Sequence, residues 1–184
     1  MSADRELVEA VLARRAGAFE RLVREYQGLV AHIVYRIVRH ADTVDELSQE
    51  TFLRVHRRLD QFRHDSSLKA WIGRVAYTIA LRHVEKQGAS ITIADDAERF
   101  EREAADEDVE STRSEQDAAA MVRQAVGALP PLQRTIVSLY HLEELSIPEI
   151  GEITGLPAGT IKSHLYRTRR QLREMLEARL GGDA

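Results

Sequence analysis

Residues 145–173 read LSIPEIGEITGLPAGTIKSHLYRTRRQLR, and this stretch decides the fold. Ser146 followed by Glu149 is a capping box, and Pro148 falls in the first turn, where a missing N–H costs little. The pattern predicts a short helix ending at Gly155, a tight turn there, Pro157 and Gly159 leading to a second cap at Thr160, and a long helix to about Leu180. Two helices joined by so short a turn, with small Gly151 where they cross, match the helix-turn-helix DNA-binding motif.

The second helix has two faces. At about 100° per residue, Ile161, Leu165, Leu172 and Leu176 share one arc, while Lys162, Ser163, Tyr166, Arg167, Arg170 and Arg173 fall on another. Thr160 to Arg173 carries five basic residues and no acid, the clustering that phosphate contact requires. Lys162, Ser163, Tyr166 and Arg167 lie early in the helix, where side chains reach base edges, and Arg169, Arg170 and Arg173 are placed for phosphates. The competing reading is a solvated basic face on a bundle helix, and the turn signals weigh against it.

Working outward, the net charge of −4 looks wrong for a DNA binder until it is divided along the chain. Residues 1–87 hold 15 Lys/Arg against 12 Asp/Glu, residues 88–117 hold 3 against 11, and residues 118–184 hold 8 against 7. The acidity belongs to the middle segment, which is too poor in apolar residues to fold alone and reads as a tether. Ser90-Ile-Thr-Ile93 is its only strand-like stretch. A solvated spacer is the favoured role for it; the alternative is that it lies against basic surfaces of the two domains and restrains DNA binding until polymerase separates them.

Before the tether, apolar residues recur at helical spacing in four segments. These are about Ala3–Ala13, Gly17–His40, Thr43–Asp60, opened by a Thr43/Glu46 capping box, and Leu68–Gln87. After it come helices over about Ala118–Leu129 and Leu132–Leu142, broken by Pro130-Pro131, and then the helix-turn-helix. The expected fold is all-α: two small helical domains, 1–87 and 118–184, joined by an acidic flexible linker, 88–117. In 184 residues there is no cysteine, which removes disulfide, thiolate-zinc and cysteine chemistry and suits a reducing cytosol. Neither a signal peptide nor a run of about eighteen apolar residues is present, so the chain is expected in the cytoplasm with no membrane contact. The seven histidines lack metal-ligand spacing, and no phosphate-binding glycine loop or nucleophile signature occurs. Enzyme activity, a catalytic site, a metal and a cofactor are therefore not expected.

The first half discriminates among helix-turn-helix proteins. Asp45-Glu-Leu-Ser-Gln-Glu-Thr-Phe52, Leu53-Arg-Val55, Phe62, Ser67-Leu-Lys-Ala-Trp71 and Arg74-Val-Ala76 together resemble region 2 of the extracytoplasmic-function (ECF) sigma factors of the sigma-70 type. Leu129-Pro-Pro-Leu-Gln-Arg134, Leu145-Ser146, Glu149-Ile150, Glu152-Ile153 and Gly159-Thr-Ile-Lys-Ser163 resemble region 4 of the same family. The matches cover most of the chain outside the tether, in the right order.

The resemblance implies a bacterial sigma factor that binds core RNA polymerase and directs promoter-specific initiation. Its third helix would dock on the β′ clamp, and Asp45, Glu46, Gln49 and Glu50 give that helix an acidic, hydrogen-bonding surface suited to a basic partner. Its second domain would meet the β flap. The fourth helix would take the melted −10 element, with Trp71 and Tyr77 offering ring faces and Arg74, Thr78, Arg82, His83 and Lys86 contacting the strand. A lone tryptophan among Leu68, Ile72 and Val75 is equally a core residue. The recognition helix from Thr160 would read the −35 element in promoter duplex.

The chain departs from the family where Thr78 replaces a common asparagine, Arg82 an aspartate, Glu85 a basic residue and Thr43 an acid. Phosphorylation of Thr51 or Thr43 by a Ser/Thr kinase would add about −1.5 to −2 of charge to the docking helix. Thr51, however, falls in the apolar arc of Val44, Leu47 and Val55, which favours packing. An anti-sigma factor is the other expected regulatory partner. The rival function is a stand-alone helix-turn-helix regulator that binds palindromic duplex as a dimer without polymerase.

Overall fold

The computed structural model describes residues 3–88 and 115–181, with side chains described for 3–88 and 119–178. The tether, including Ser90–Ile93 and the segment expected to restrain DNA binding, lies outside the described residues. Among those described, all regular structure is helical: α1 (Ala3–Leu12), α2 (Ala18–Val38), α3 (Ala41–Arg58), a 3-10 turn (Leu59–Gln61), α4 (Leu68–Lys86), α5 (Glu115–Gly127), α6 (Pro131–His141), α7 (Ile147–Thr154) and α8 (Ala158–Gly181).

The first domain is built around α2, whose 21 residues run about 30 Å. Leu22, Val30, Ile33 and Val34 on its inner face are fully buried, and α3 and α4 close over them with Val55, Leu68, Ile72 and Ala76. Asp4 of α1 ties the assembly together, accepting a hydrogen bond from the Tyr26 hydroxyl at 3.3 Å and from the Leu68 N–H at 3.1 Å. The second contact satisfies one of the free donors at the start of α4, and Ser67 takes another by accepting from the Ala70 N–H at 3.1 Å.

Two helix starts differ from the sequence expectation for the same reason: a backbone carbonyl further upstream accepts the first helical bond. The Val44 N–H donates to His40 O, so α3 begins at Ala41 and Thr43 lies inside its first turn instead of capping it. The Ile161 N–H donates to Pro157 O, so α8 begins at Ala158 and Thr160 is likewise already helical.

The two domains are docked on each other and share one apolar core. Helix α7 lies on α4, and α6 meets α2. Gly73 of α4 makes the first contact possible, because a Cβ there would come within 2.8 Å of Ile153 Cδ1. Arg134 seals the second. It is buried, donating from Nε to Arg36 O at 2.8 Å and from a terminal nitrogen to Gly127 O at 3.0 Å and Leu129 O at 3.2 Å. The guanidinium thus joins carbonyls at the C-terminal ends of α2 and α5, where helix dipoles favour a cation.

Candidate nucleic-acid and polymerase-facing surfaces

In α7 both arms of the capping box are made. Ser146 Oγ accepts from the Glu149 N–H at 3.4 Å, and Glu149 Oε2 accepts from the Ser146 N–H at 2.9 Å. Gly155 ends the helix at φ 77°, a left-handed conformation that glycine adopts without a Cβ penalty, with its N–H on Gly151 O at 2.8 Å. Gly151 itself leaves room for the turn, since a Cβ there would meet Leu156 O at 3.1 Å. Helix α8 is thereby held close against α7.

Ile161, His164, Leu165 and Thr168 of α8 are buried against α6 and α7, and Leu172 and Leu176 are partly buried. Lys162, Ser163, Tyr166, Arg167, Arg169, Arg170 and Arg173 are all exposed, Tyr166 at 70%. Thr160 is half-buried at the edge between the faces. Two of the arginines have intramolecular partners: Arg170 pairs with Glu174 at 3.4 Å, and the Arg169 guanidinium sits 5.5 Å from the Tyr140 ring centre. Sequence reasoning missed His164 as a core residue. Burial first, and the charge of Arg167 second, hold its imidazole below its ordinary pKa. Its position three residues after Ile161 carried the signal.

On α4 the expected strand-contacting residues separate. Arg74, Arg82 and Lys86 are exposed. Trp71 is half-buried with its ring 5.5 Å from that of Phe62, so part of it packs on the first domain and part is open. His83 is half-buried and hydrogen-bonded to Gln87 at 2.9 Å, and Thr78 donates its hydroxyl to Arg74 O at 2.8 Å. Tyr77 departs from expectation: only 7% is exposed, and burial pushes its hydroxyl up to about 12. In this arrangement it has no open ring face to offer a base. Arg74, Tyr77, Thr78, Arg82 and Glu85 form one wall of a cleft whose other wall is Ile153, Thr154 and Gly155 of the helix-turn-helix.

On α3, Asp45, Glu46, Gln49 and Glu50 are exposed, with Glu50 paired to Arg54 at 2.8 Å. Leu53, one turn further on, is 58% exposed, an apolar extension of the same face that charge counting overlooked. Thr51 points the other way. It is fully buried and its hydroxyl donates to Leu47 O at 2.8 Å, so it packs the core and has no oxygen open to a kinase. Thr43 is half-buried in the first turn.

These features define a two-domain DNA-binding protein, helical in all regular structure of its described residues, with a basic exposed face on α8 and an acidic exposed face on α3. Residues 22–90 match Sigma-70 region 2, and residues 119–172 match Sigma-70, region 4. The chain is 33% identical to the RNA polymerase sigma-H factor of Pseudomonas aeruginosa, covering 95% of this chain and 94% of that one. It is 34% identical to the ECF RNA polymerase sigma-E factor of Escherichia coli K12, covering 92% of each. Among solved structures, CnrH in complex with the cytosolic domain of CnrY has the same fold, with a TM-score of 0.68 at 22% identity over 96% of this chain and 99% of that one. RpoE of Bartonella quintana in complex with the anti-sigma factor NepR superposes with a TM-score of 0.65 at 21% identity, over 88% and 98% of the two chains. The chain belongs to the ECF subfamily of sigma-70-type RNA polymerase sigma factors, and it is a sigma factor that directs transcription initiation. No helix among the described residues is long and apolar enough to cross a membrane.

Proposed function

We propose a division of labour for this sigma factor along its three exposed faces. Asp45, Glu46, Gln49 and Glu50 of α3, with Leu53 as apolar centre, dock on the β′ clamp of core RNA polymerase, and the second domain meets the β flap. Helix α4 takes the melted −10 strand through Trp71, Arg74, Thr78, Arg82, His83 and Lys86, with Tyr77 joining only after the cleft beside it opens. Helix α8 enters the major groove of the −35 element with Lys162, Ser163, Tyr166 and Arg167, while Thr160, Arg169, Arg170 and Arg173 take phosphates. The domains are residues 1–87 and 118–184, with 88–117 as the connection. The protein works in the cytoplasm, without a reaction of its own.

The observation that carries this reading is the exposure of every basic side chain from Lys162 to Arg173 on α8, while Ile161, Leu165 and Thr168 on the opposite side are buried. An anti-sigma partner is supported by the solved relatives, since CnrH and RpoE are each bound to such a chain or to a cytosolic domain. Thr43 remains the one threonine of α3's docking end placed for a kinase; at a helix N-terminus a phosphate meets a favourable dipole. Reconstitution with core polymerase followed by mapping of transcript 5′ ends tests the whole assignment. Starts downstream of a shared pair of elements are expected. Absence of specific starts, together with dimeric binding to a palindromic duplex, would instead favour a stand-alone regulator.

A further inference from the structure

The first domain carries a basic surface of its own, distinct from the acidic face of α3. Residues 56–64, HRRLDQFRH, hold three arginines and two histidines against one acid. Arg57 and Arg58 close the last turn of α3 and Arg63 follows the 3-10 turn; all three are exposed. Arg14 and Arg15, exposed on the turn between α1 and α2, stand at the same end of the domain, because the ring of Phe19 in the first turn of α2 lies 4.7 Å from that of His56. The seam between the two domains uses none of these five arginines. Its polar contacts on this side come from His32, Arg36, Ser67 and Lys69.

Helix polarity explains only part of this charge. Cations in the last turn of α3 are favoured by its dipole, but Arg63, Arg14 and Arg15 lie outside that turn. Ion pairing does not explain it either. Among the described residues the pairs are Arg5–Glu9, His32–Glu143, Arg54–Glu50 and Arg170–Glu174, and none of the five arginines enters one. Like charges gathered at one end without partners repel one another, and a polyanion relieves that repulsion.

Aromatic rings decide which polyanion. His64 is exposed with its ring 4.6 Å from that of Phe62, and Phe62 lies 5.5 Å from Trp71 in the first turn of α4. The row leads from Arg63 towards Arg74, exposed one turn beyond Trp71. Duplex DNA keeps its base faces stacked inside, whereas unpaired bases are held by ring faces set beside cations. We propose that Arg14, Arg15, Arg57, Arg58 and Arg63 form a phosphate track for single-stranded promoter DNA, carrying the melted strand onward past the starting end of α4. That the strand arrives from α4 rests on α4 binding it; that this surface takes single strand does not.

The chain has no cysteine, so a DNA-cleaving iron chelate can be tethered at one site at a time. Ala13→Cys and Asp60→Cys place it beside the arginines, and Glu85→Cys places it near the far end of α4; all three positions are exposed. In open promoter complexes with core polymerase, cuts from positions 13 and 60 should fall on an unpaired strand. They should lie on the opposite side of the −10 element from the cuts made at position 85. Cuts from 13 and 60 confined to duplex, or no cuts from them at all, would overturn the track. Cuts from 13 and 60 on unpaired DNA with none from 85 would keep the single-strand surface and place the fault in the assignment of α4.

Arg57→Gln, Arg58→Gln and Arg63→Gln combined should leave the circular dichroism unchanged, because all three side chains are exposed. Two fluorescent single strands then report on the complex with core polymerase: one ends at the mapped −10 element, and the other extends about six nucleotides past it on that side. The unsubstituted protein should bind the extended strand more tightly. Each phosphate contact in a single strand contributes about −0.7 to the slope of log affinity against log salt, so the triple variant should lower that slope by about 2 for the extended strand alone. Between about 50 and 200 mM salt this is a roughly fifteenfold smaller fall in affinity. Equal effects on both strands, or an extended strand that gains nothing, would overturn the track. So would a loss confined to core-polymerase affinity, which would make the surface a protein contact. If only the extended strand is held at all, the track stands and the assignment of α4 fails.

Discussion

Replacing Glu149 tests the link between local capping and domain docking. One oxygen of its carboxylate accepts from the Ser146 N–H at 2.9 Å and the Ser146 hydroxyl at 2.7 Å, and the other accepts from Ser67 across the seam at 2.9 Å. Glu149→Ala removes the reciprocal arm of the capping box, worth about 1 kcal/mol. It also removes the Ser67 bond, worth about 0.5–1 kcal/mol at this partly exposed site. The expected loss is about 1.5–2 kcal/mol, with Glu149→Gln losing less because an amide oxygen still accepts the cap bond.

A double-mutant cycle with Ser67→Ala in urea unfolding, followed by circular dichroism, isolates the part that crosses between domains. A coupling of about 0.5–1 kcal/mol is expected, and additivity to within about 0.3 kcal/mol would refute a seam held by this bond. The effect also carries a pH signature. Burial pushes the Glu149 carboxyl up, but hydrogen bonds from Ser146 and Ser67 and the charge of Lys69 outweigh it and hold the group below its ordinary value of 4.5. A lowered pKa means that the stabilisation is complete above 4.5 and is lost as pH falls through the lowered value. The gap between the unsubstituted chain and Glu149→Ala should therefore narrow in acid.

Three further outcomes rest on other parts of the molecule. His32 is held below its ordinary 6.5 by burial first and by Arg36 second, against the pull of Glu143. Arg36 Nε donates to its Nε2 at 3.1 Å, the Glu143 carboxylate lies 3.0 Å from its Nδ1, and Tyr35 and Asp45 line the same hollow. The neutral ring thus favours the folded chain, so this contribution is complete above 6.5 and is lost as pH falls through the lowered value; stability in urea should fall between pH 7.5 and 5.5, and His32→Gln should flatten part of that response. In the complex with polymerase, Arg167→Ala should cost about 1–3 kcal/mol in −35 duplex binding and relax preference at one base pair, whereas Arg173→Ala should weaken all sequences alike and lower the salt slope by about 1. Thr51→Val should leave stability and core-polymerase affinity within about 1 kcal/mol of the original, while Thr51→Glu should unfold the first domain by burying a charge, a loss visible by circular dichroism.

The parts legible in the sequence were those with a local cause. Ser146, Glu149 and Gly155 fix α7 through bonds made within ten residues, and the 3.6-residue period sorts α8 into a sealed and a basic face. Helix starts failed where a distant-looking cap signal, Thr43 or Thr160, competed with a backbone carbonyl that no side-chain pattern records. Thr51 was legible as core for the same periodic reason that Val44, Leu47 and Val55 were, and its hydroxyl found a partner in its own helix at Leu47 O.

What could not be read was everything that depends on one domain meeting the other. Gly73 looks like any small residue inside a helix, a position where glycine normally costs about 1 kcal/mol relative to alanine. Only the presence of Ile153, 80 positions later, shows what the missing side chain makes room for. Tyr77 and Trp71 were indistinguishable as ring donors in sequence, yet one is closed off on the α7 side of α4 and the other lies partly open beside Phe62. The distinction between them is a property of the seam. It follows that Gly73→Val should increase the accessibility of Tyr77 to a chemical probe such as tetranitromethane in the free protein while leaving the partly open Trp71 nearly as quenchable by acrylamide as before; equal changes at both rings would mean that the substitution had loosened the first domain instead of parting it from the second.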